Sequence, residues 1–121
     1  MTKKQLNTEY VLAMEASYKK KLTANRSFLL GVKYYVAFEA LEFGRALHNG
    51  NRKDGSPEFI HQLTMAQFIF NMLDFLMYPE PTLGGIYLHD APEDKDIPHG
   101  TILNKFGERI ATPVRLMDKH R

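Results

Sequence analysis

Apolar residues recur every three or four positions along almost the whole chain, and nowhere do they alternate strictly enough with polar ones to make a half-buried strand. Such a chain can bury its apolar surface only by packing helix against helix, so the fold class is all-α, with about five helices. Leu6, Tyr10, Met14 and Tyr18 predict a first amphipathic helix over roughly 5–22, closing on Lys19, Lys20 and Lys21, where cations suit the helix dipole. A second is expected from Ser27, as its N-cap, to about Leu47, with Leu30, Tyr34, Ala37 and Leu41 along one stripe. The third opens near Ser56 or Pro57 and runs to about Met77. It carries Ile60, Leu63, Phe68, Met72 and Phe75, and being the most apolar it is expected at the centre, ended by Pro79 and Pro81. A short helix over Thr82–Ala91 should end or kink at Pro92, and Gly84-Gly85 within it would let a neighbour approach closely. Thr101 is expected to cap a last helix through Ile102, Phe106, Ile110, Val114 and Met117, kinked at Pro113. Tyr34, Tyr35, Phe68 and Phe70 read as core aromatics.

At 121 residues the chain suits a single domain, 1–121. The absence of cysteine removes disulfides, thiolate zinc sites and a cysteine nucleophile, and fits a reducing compartment such as the cytoplasm. The opening MTKKQLNTEY carries no apolar segment of a secretory signal, and no apolar run approaches the ~18 residues of a membrane span. A net charge of +2 is too small to imply a nucleic-acid partner. Its distribution is more telling. Residues 1–26 carry six Lys/Arg against two Glu, a net +4, whereas residues 80–96 set Glu80, Asp90, Glu93, Asp94 and Asp96 against Lys95, a net −4. Clustered carboxylates repel one another unless water or a cation neutralises them.

Three constellations could carry chemistry. On a helix His89 pairs in direction with Glu93, and Asp90 with Asp94; if the turn stays helical past Pro92, an imidazole and three carboxylates share one corner. An imidazole beside a carboxylate is a common transition-metal pair, and the plain alternative is a solvated acidic helix end. His61, in PEFIHQLTMAQFIF, is either a hydrogen-bonded core histidine or, if it faces the His89-Asp90 corner, a further ligand of a divalent metal. Arg52-Lys53 lies in the glycine-rich loop His48–Pro57. It offers a planar fork for phosphate and a flat face for a base, or is an ordinary basic surface loop.

The three occur in a recognisable order. The segment from Ala46 to His61 (ALHNGNRKDGSPEFIH) resembles the opening motif of RelA/SpoT-type HD phosphohydrolase domains. Leu88–Asp94 (LHDAPED) resembles that family's HDxxED signature, and Asn104-Lys105-Phe106-Gly107 through Val114 to Lys119 its Phe-Gly helix. The resemblance covers about residues 33–121; residues 1–30 form a leading helix without a family mark. It implies an HD-domain helical bundle that removes the 3′-pyrophosphate from guanosine alarmones, (p)ppGpp, with Mn²⁺ or another divalent transition metal. His61, His89 and Asp90 would be the metal ligands. Glu93 and Asp94 would position and activate the attacking water, Arg52 and Lys53 would bind the nucleotide, and His48 would support the site without ligating. Two departures stand out. Pro92 and Lys95 replace residues usual in the signature, and Lys95 could contact phosphate or pair with Asp94. The family's fourth ligand is an aspartate on a later helix; an ungapped count places Asp118-Lys119 on an earlier Thr-Lys pair, so Asp118 is not expected to be that ligand and the chain reads as the N-terminal part of the domain. The alternatives are an HD hydrolase of another nucleotide or phosphate ester, and a catalytically impaired, truncated binding module whose exposed surface a homo-oligomer or a partner could cover.

Overall fold

A computed structural model describes residues 3–118, with side chains from residue 8 onward; Leu6 and Lys119 of the sequence reading lie outside the described side chains. The helices are α1 (Lys3–Gly31), α2 (Tyr35–Leu47), α3 (Ile60–Phe70), α4 (Pro79–Leu88), α5 (Ala91–Lys95), α6 (His99–Phe106) and α7 (Glu108–Met117), with a 3₁₀ turn at Leu73–Phe75. Among the described residues there is no strand, only an isolated bridge between Asn51 and Pro57, so the all-α expectation holds. No described helix is long and apolar enough to cross a membrane.

The helix boundaries differ from the periodicity in instructive ways. Ser27 caps nothing: it lies inside α1, because the Thr-Ala-Asn-Arg stretch before it contains no breaker and Asn25 turns its amide inward. The break falls instead at Lys33, whose φ of 62° is left-handed. α2 then begins without a cap from its own chain segment. Glu80, on α4, accepts hydrogen bonds from the Val36 and Ala37 N–H groups at 2.9 and 3.1 Å, so the carboxylate satisfies donors at a helix N-terminus from across the core. α3 stops at Phe70 rather than Met77. Pro79 and Pro81 do not end a helix but open α4, where a proline's missing N–H removes no helical bond. Thr101 lies within α6, and the expected last helix is two, α6 and α7, divided at Gly107 (φ 89°), with Pro113 accommodated inside α7.

The central helix is α4, not α3. It packs on α2, α3 and α7 and buries Leu83, Gly84, Gly85, Tyr87 and Leu88. α3 is only half enclosed: Phe68, expected in the core, is 70% exposed, and Tyr35 is exposed too, whereas Phe70 stacks on Phe28 at 3.8 Å. α2 and α4 approach closely at Gly44, where a Cβ would stand 2.5 Å from the Tyr87 carbonyl oxygen. Gly84 also meets a neighbour, the Ile110 side chain of α7, but Gly85 has open space around it. One polar knot sits inside this apolar cluster. The Tyr87 hydroxyl donates to Asn25 Oδ1 at 2.6 Å, and Asn25 Nδ2 donates to the carbonyls of Lys21 and Leu63. Burial pushes the Tyr87 hydroxyl well above its ordinary pKa, so it remains a donor. Nearer the surface, Arg26 forks onto both oxygens of Glu42 at 2.6 and 3.0 Å, tying α1 to α2, with Arg45 adding a further bond.

Two measurements test this packing. Gly44→Ala must push against a backbone oxygen and should lower stability by about 1–3 kcal/mol in urea unfolding, whereas Gly85→Ala should be neutral or stabilising, having space and better helix propensity. The Arg26 hydrogen bond, and less strongly Arg26's and Arg45's charges, hold the Glu42 carboxyl below its ordinary 4.5. The stabilisation is therefore complete above the unfolded value and fades as pH falls through the lower, folded one. Unfolding curves between pH 6 and 3 should show a loss that Glu42→Gln flattens; an equally steep loss in that variant would contradict the assignment.

Candidate metal centre

His61 is the second residue of α3, and His89 and Asp90 form the turn between α4 and α5. That turn stays close to helical: both residues have right-handed α geometry, and the Asp94 N–H reaches the Asp90 carbonyl at 2.9 Å. α4 spans Pro79–Leu88 rather than Thr82–Ala91, ending before Pro92, and Pro92 sits in the first turn of α5, where it is tolerated. The packing of α3 on α4 then brings three residues together. His61, His89 and Asp90 each offer a ligand atom, and these atoms lie within 4.8 Å of one another. Donors around one ion at bonds of ~2.1 Å span about 4.2 Å at most, so only a small contraction separates this arrangement from a coordination set. The two imidazoles are 5.9 Å apart and meet edge to face. His61 is exposed, not the buried core histidine that was its alternative reading.

The donor chemistry fits a cation. His89 Nδ1 lies 2.6 Å from the Ile86 carbonyl, which can only accept, so Nδ1 carries the proton. In the neutral ring Nε2 then presents a lone pair, and it faces Asp90 Oδ1 at 3.3 Å. Two electron-rich atoms so close need a positive charge, either a proton or a metal ion. Anchoring the far nitrogen on a backbone carbonyl is the common way to orient a metal-binding histidine. Asp90 is anchored in the same manner: its other oxygen, Oδ2, accepts a bond from Gln62 Nε2 at 3.1 Å. The sequence reading missed Gln62, although an amide next to His61 in an otherwise apolar run was a visible signal.

Glu93 and Asp94 follow within one turn, on α5, outside the ligand group; Glu93 is half-buried and Asp94 exposed. Lys95 pairs with Glu58 rather than with Asp94. Its ammonium lies 2.6 Å from Glu58 Oε1, which also meets His48 Nδ1 at 3.0 Å. The Lys95 hydrogen bond chiefly, with lesser help from His48, holds the Glu58 carboxyl below its usual range. His48 is buried and meets this network rather than the His61, His89 and Asp90 group. Asp118 likewise stays outside it, with Oδ2 on His99 Nε2 at 2.8 Å.

Arg52 and Lys53 are exposed on a loop that closes on itself through Arg52 N–H to Ser56 O and Glu58 N–H to Gly50 O. The Tyr10 hydroxyl of α1 reaches Asp54, and the Lys53 side chain lines a hollow with Tyr10, Val11, Asp54 and Gly55 that includes none of the three metal-group residues. A different hollow, of about 330 Å³, adjoins the group itself; it is lined by His61, Thr64, Met65, Phe68, Ile69 and Ile86, none of them Lys, Arg, Asp or Glu.

A bound ion should register as stability. Mn²⁺ at a hundred times its dissociation constant should add about 2.7 kcal/mol, and His61→Ala, His89→Ala or Asp90→Asn should each abolish most of the gain in a melting experiment. An unchanged gain in all three variants would place the ion elsewhere. Family models, curated proteins and solved structures provide no match to this chain, so the site stands on its own geometry.

Proposed function

We propose that the chain is a metal-dependent phosphohydrolase that removes the 3′-pyrophosphate from guanosine alarmones, releasing GDP or GTP and pyrophosphate. The observation that carries the reading is the meeting of His61, His89 and Asp90, from two separate segments, with His89 Nδ1 and Asp90 Oδ2 each held from behind. The alarmone as substrate is supported by the resemblance of the motifs around Arg52-Lys53 and His89-Asp90. His61, His89 and Asp90 would hold Mn²⁺ or another divalent transition metal. Such an ion lowers the pKa of a water and offsets charge on the phosphoryl group.

The chain's own groups account for the rest. Glu93 or Asp94, one turn beyond the ligands, orients the attacking water and accepts its proton. The water oxygen bonds to the phosphorus attached to the ribose 3′-oxygen, the bond between that phosphorus and the 3′-oxygen breaks, and the 3′-oxygen leaves with a proton. Arg52 and Lys53 engage the nucleotide's phosphates and base. The absence of cysteine suits work in a reducing cytoplasm.

A second reading, hydrolysis of another nucleotide or phosphate ester by the same centre, is favoured by one observation. The hollow that adjoins His61 is apolar, and Lys53 lines a different one. A substrate panel separates the two. With Mn²⁺ present, the alarmone reading expects pyrophosphate release from ppGpp, a loss of about 10²–10⁴-fold in Glu93→Gln or Asp94→Asn with the metal-induced stabilisation retained, and a ppGpp-specific loss in Arg52→Ala. Background activity on ppGpp beside turnover of another phosphate ester would favour the second reading; no turnover of any member would defeat both.

A further inference from the structure

Gln62 and His61 are adjacent in sequence but face opposite ways: His61 is exposed, whereas Gln62 is 2% exposed. The amide of Gln62 is only half satisfied. Its Nε2 donates to Asp90 Oδ2, but its Oε1 is buried and has no hydrogen-bond partner. Buried polar atoms are nearly always paired, and an orphan calls for a reason. Packing does not supply one, since an apolar side chain of similar length would fill the same space without a stranded carbonyl. What an apolar side chain lacks is the N–H on Asp90. That bond ties up one carboxylate oxygen, and the other, Oδ1, faces His89 Nε2 at 3.3 Å. Asp90 is itself partly exposed, so without the tie its carboxylate could rotate into water.

We propose that Gln62 is a positioning residue for the metal centre: it fixes the Asp90 carboxylate so that Oδ1 faces His89 Nε2, and it does so at the expense of the stability of the metal-free fold. The proposal rests on the reading of His61, His89 and Asp90 as a metal centre and is independent of the substrate. It gives Gln62→Met a signature with two opposite signs. In chelator the variant should melt at the wild-type temperature or above, because the orphaned carbonyl is gone. Its affinity for Mn²⁺ alone, by titration calorimetry, should fall 10- to 100-fold, the usual effect of losing a group that orients a metal ligand. Gln62→Leu should behave alike and guards against a peculiarity of methionine.

Mn²⁺ affinity within twofold of wild type in both variants would overturn the role assigned to Gln62 while leaving the metal centre standing. A lower metal-free melting temperature in both, or failure of both to fold, would show the amide to be a structural tie and overturn it equally. If wild type binds no Mn²⁺, the metal centre itself falls, and with it the proposal.

Discussion

The site depends on how α4 is fixed in the core, and Tyr87 does much of the fixing. Its hydroxyl reaches Asn25 of α1 at 2.6 Å, and the same asparagine donates to the Leu63 carbonyl of α3. Its carbonyl oxygen lies where α2 comes near enough that only a glycine fits, at Gly44. Rotation of α4 about its axis would break the first contact, and a shift away from α2 would open the second. His89 and Asp90 begin two residues later, so their position is set by these contacts. Leu63 is two residues beyond His61, so the same asparagine also locates the start of α3. Both halves of the metal group are thus referred to one buried hydrogen-bond knot, the kind of precision a coordination set needs from rigid elements.

The electrostatics of the group follow from how its far atoms are occupied. The Ile86 carbonyl sets the tautomer of His89, and Gln62 occupies one oxygen of Asp90. Each residue then turns its remaining acceptor toward the other, an arrangement that a positive charge between them favours. His61 stands on the open side, beside an uncharged hollow. Low polarity next to a cation held there would strengthen its attraction for an anionic group.

Much of this was legible in the residues. Helical spacing alone gave the class, because it depends only on which positions are apolar. His89-Asp90 and Glu93-Asp94 stood out because local spacing places them on one turn. The meeting of His61 with that turn was one of two readings left open by the residues, and the resemblance favoured it, since the contact runs between segments 28 residues apart in the case of His61 and His89. What was not legible is what depends on distant partners. Glu80 caps α2 from α4, so nothing near Tyr35 signals a helix start; Ser27 looked like a cap because its side chain could serve as one. Phe68 looked like core because it is aromatic, yet α3 buries a different face. Pro79 and Pro81 are ambiguous in principle, since a proline marks a boundary without saying on which side the helix lies.

Lys95 shows how such a long-range partner changes the chemistry. Read locally, a lysine next to Asp94 weakens that carboxylate as a base. In the fold its ammonium is drawn across to Glu58 Oε1, the same oxygen that His48 Nδ1 meets. Asp90, Glu93 and Asp94 thus lie on one short segment, and the lysine that follows them contacts Glu58. The same ion pair has a mechanical side. Glu58 ends the loop that carries Arg52 and Lys53, and Lys95 ends the helix that carries Glu93 and Asp94. One 2.6 Å contact thus couples the segment read as holding the nucleotide to the segment read as handling water.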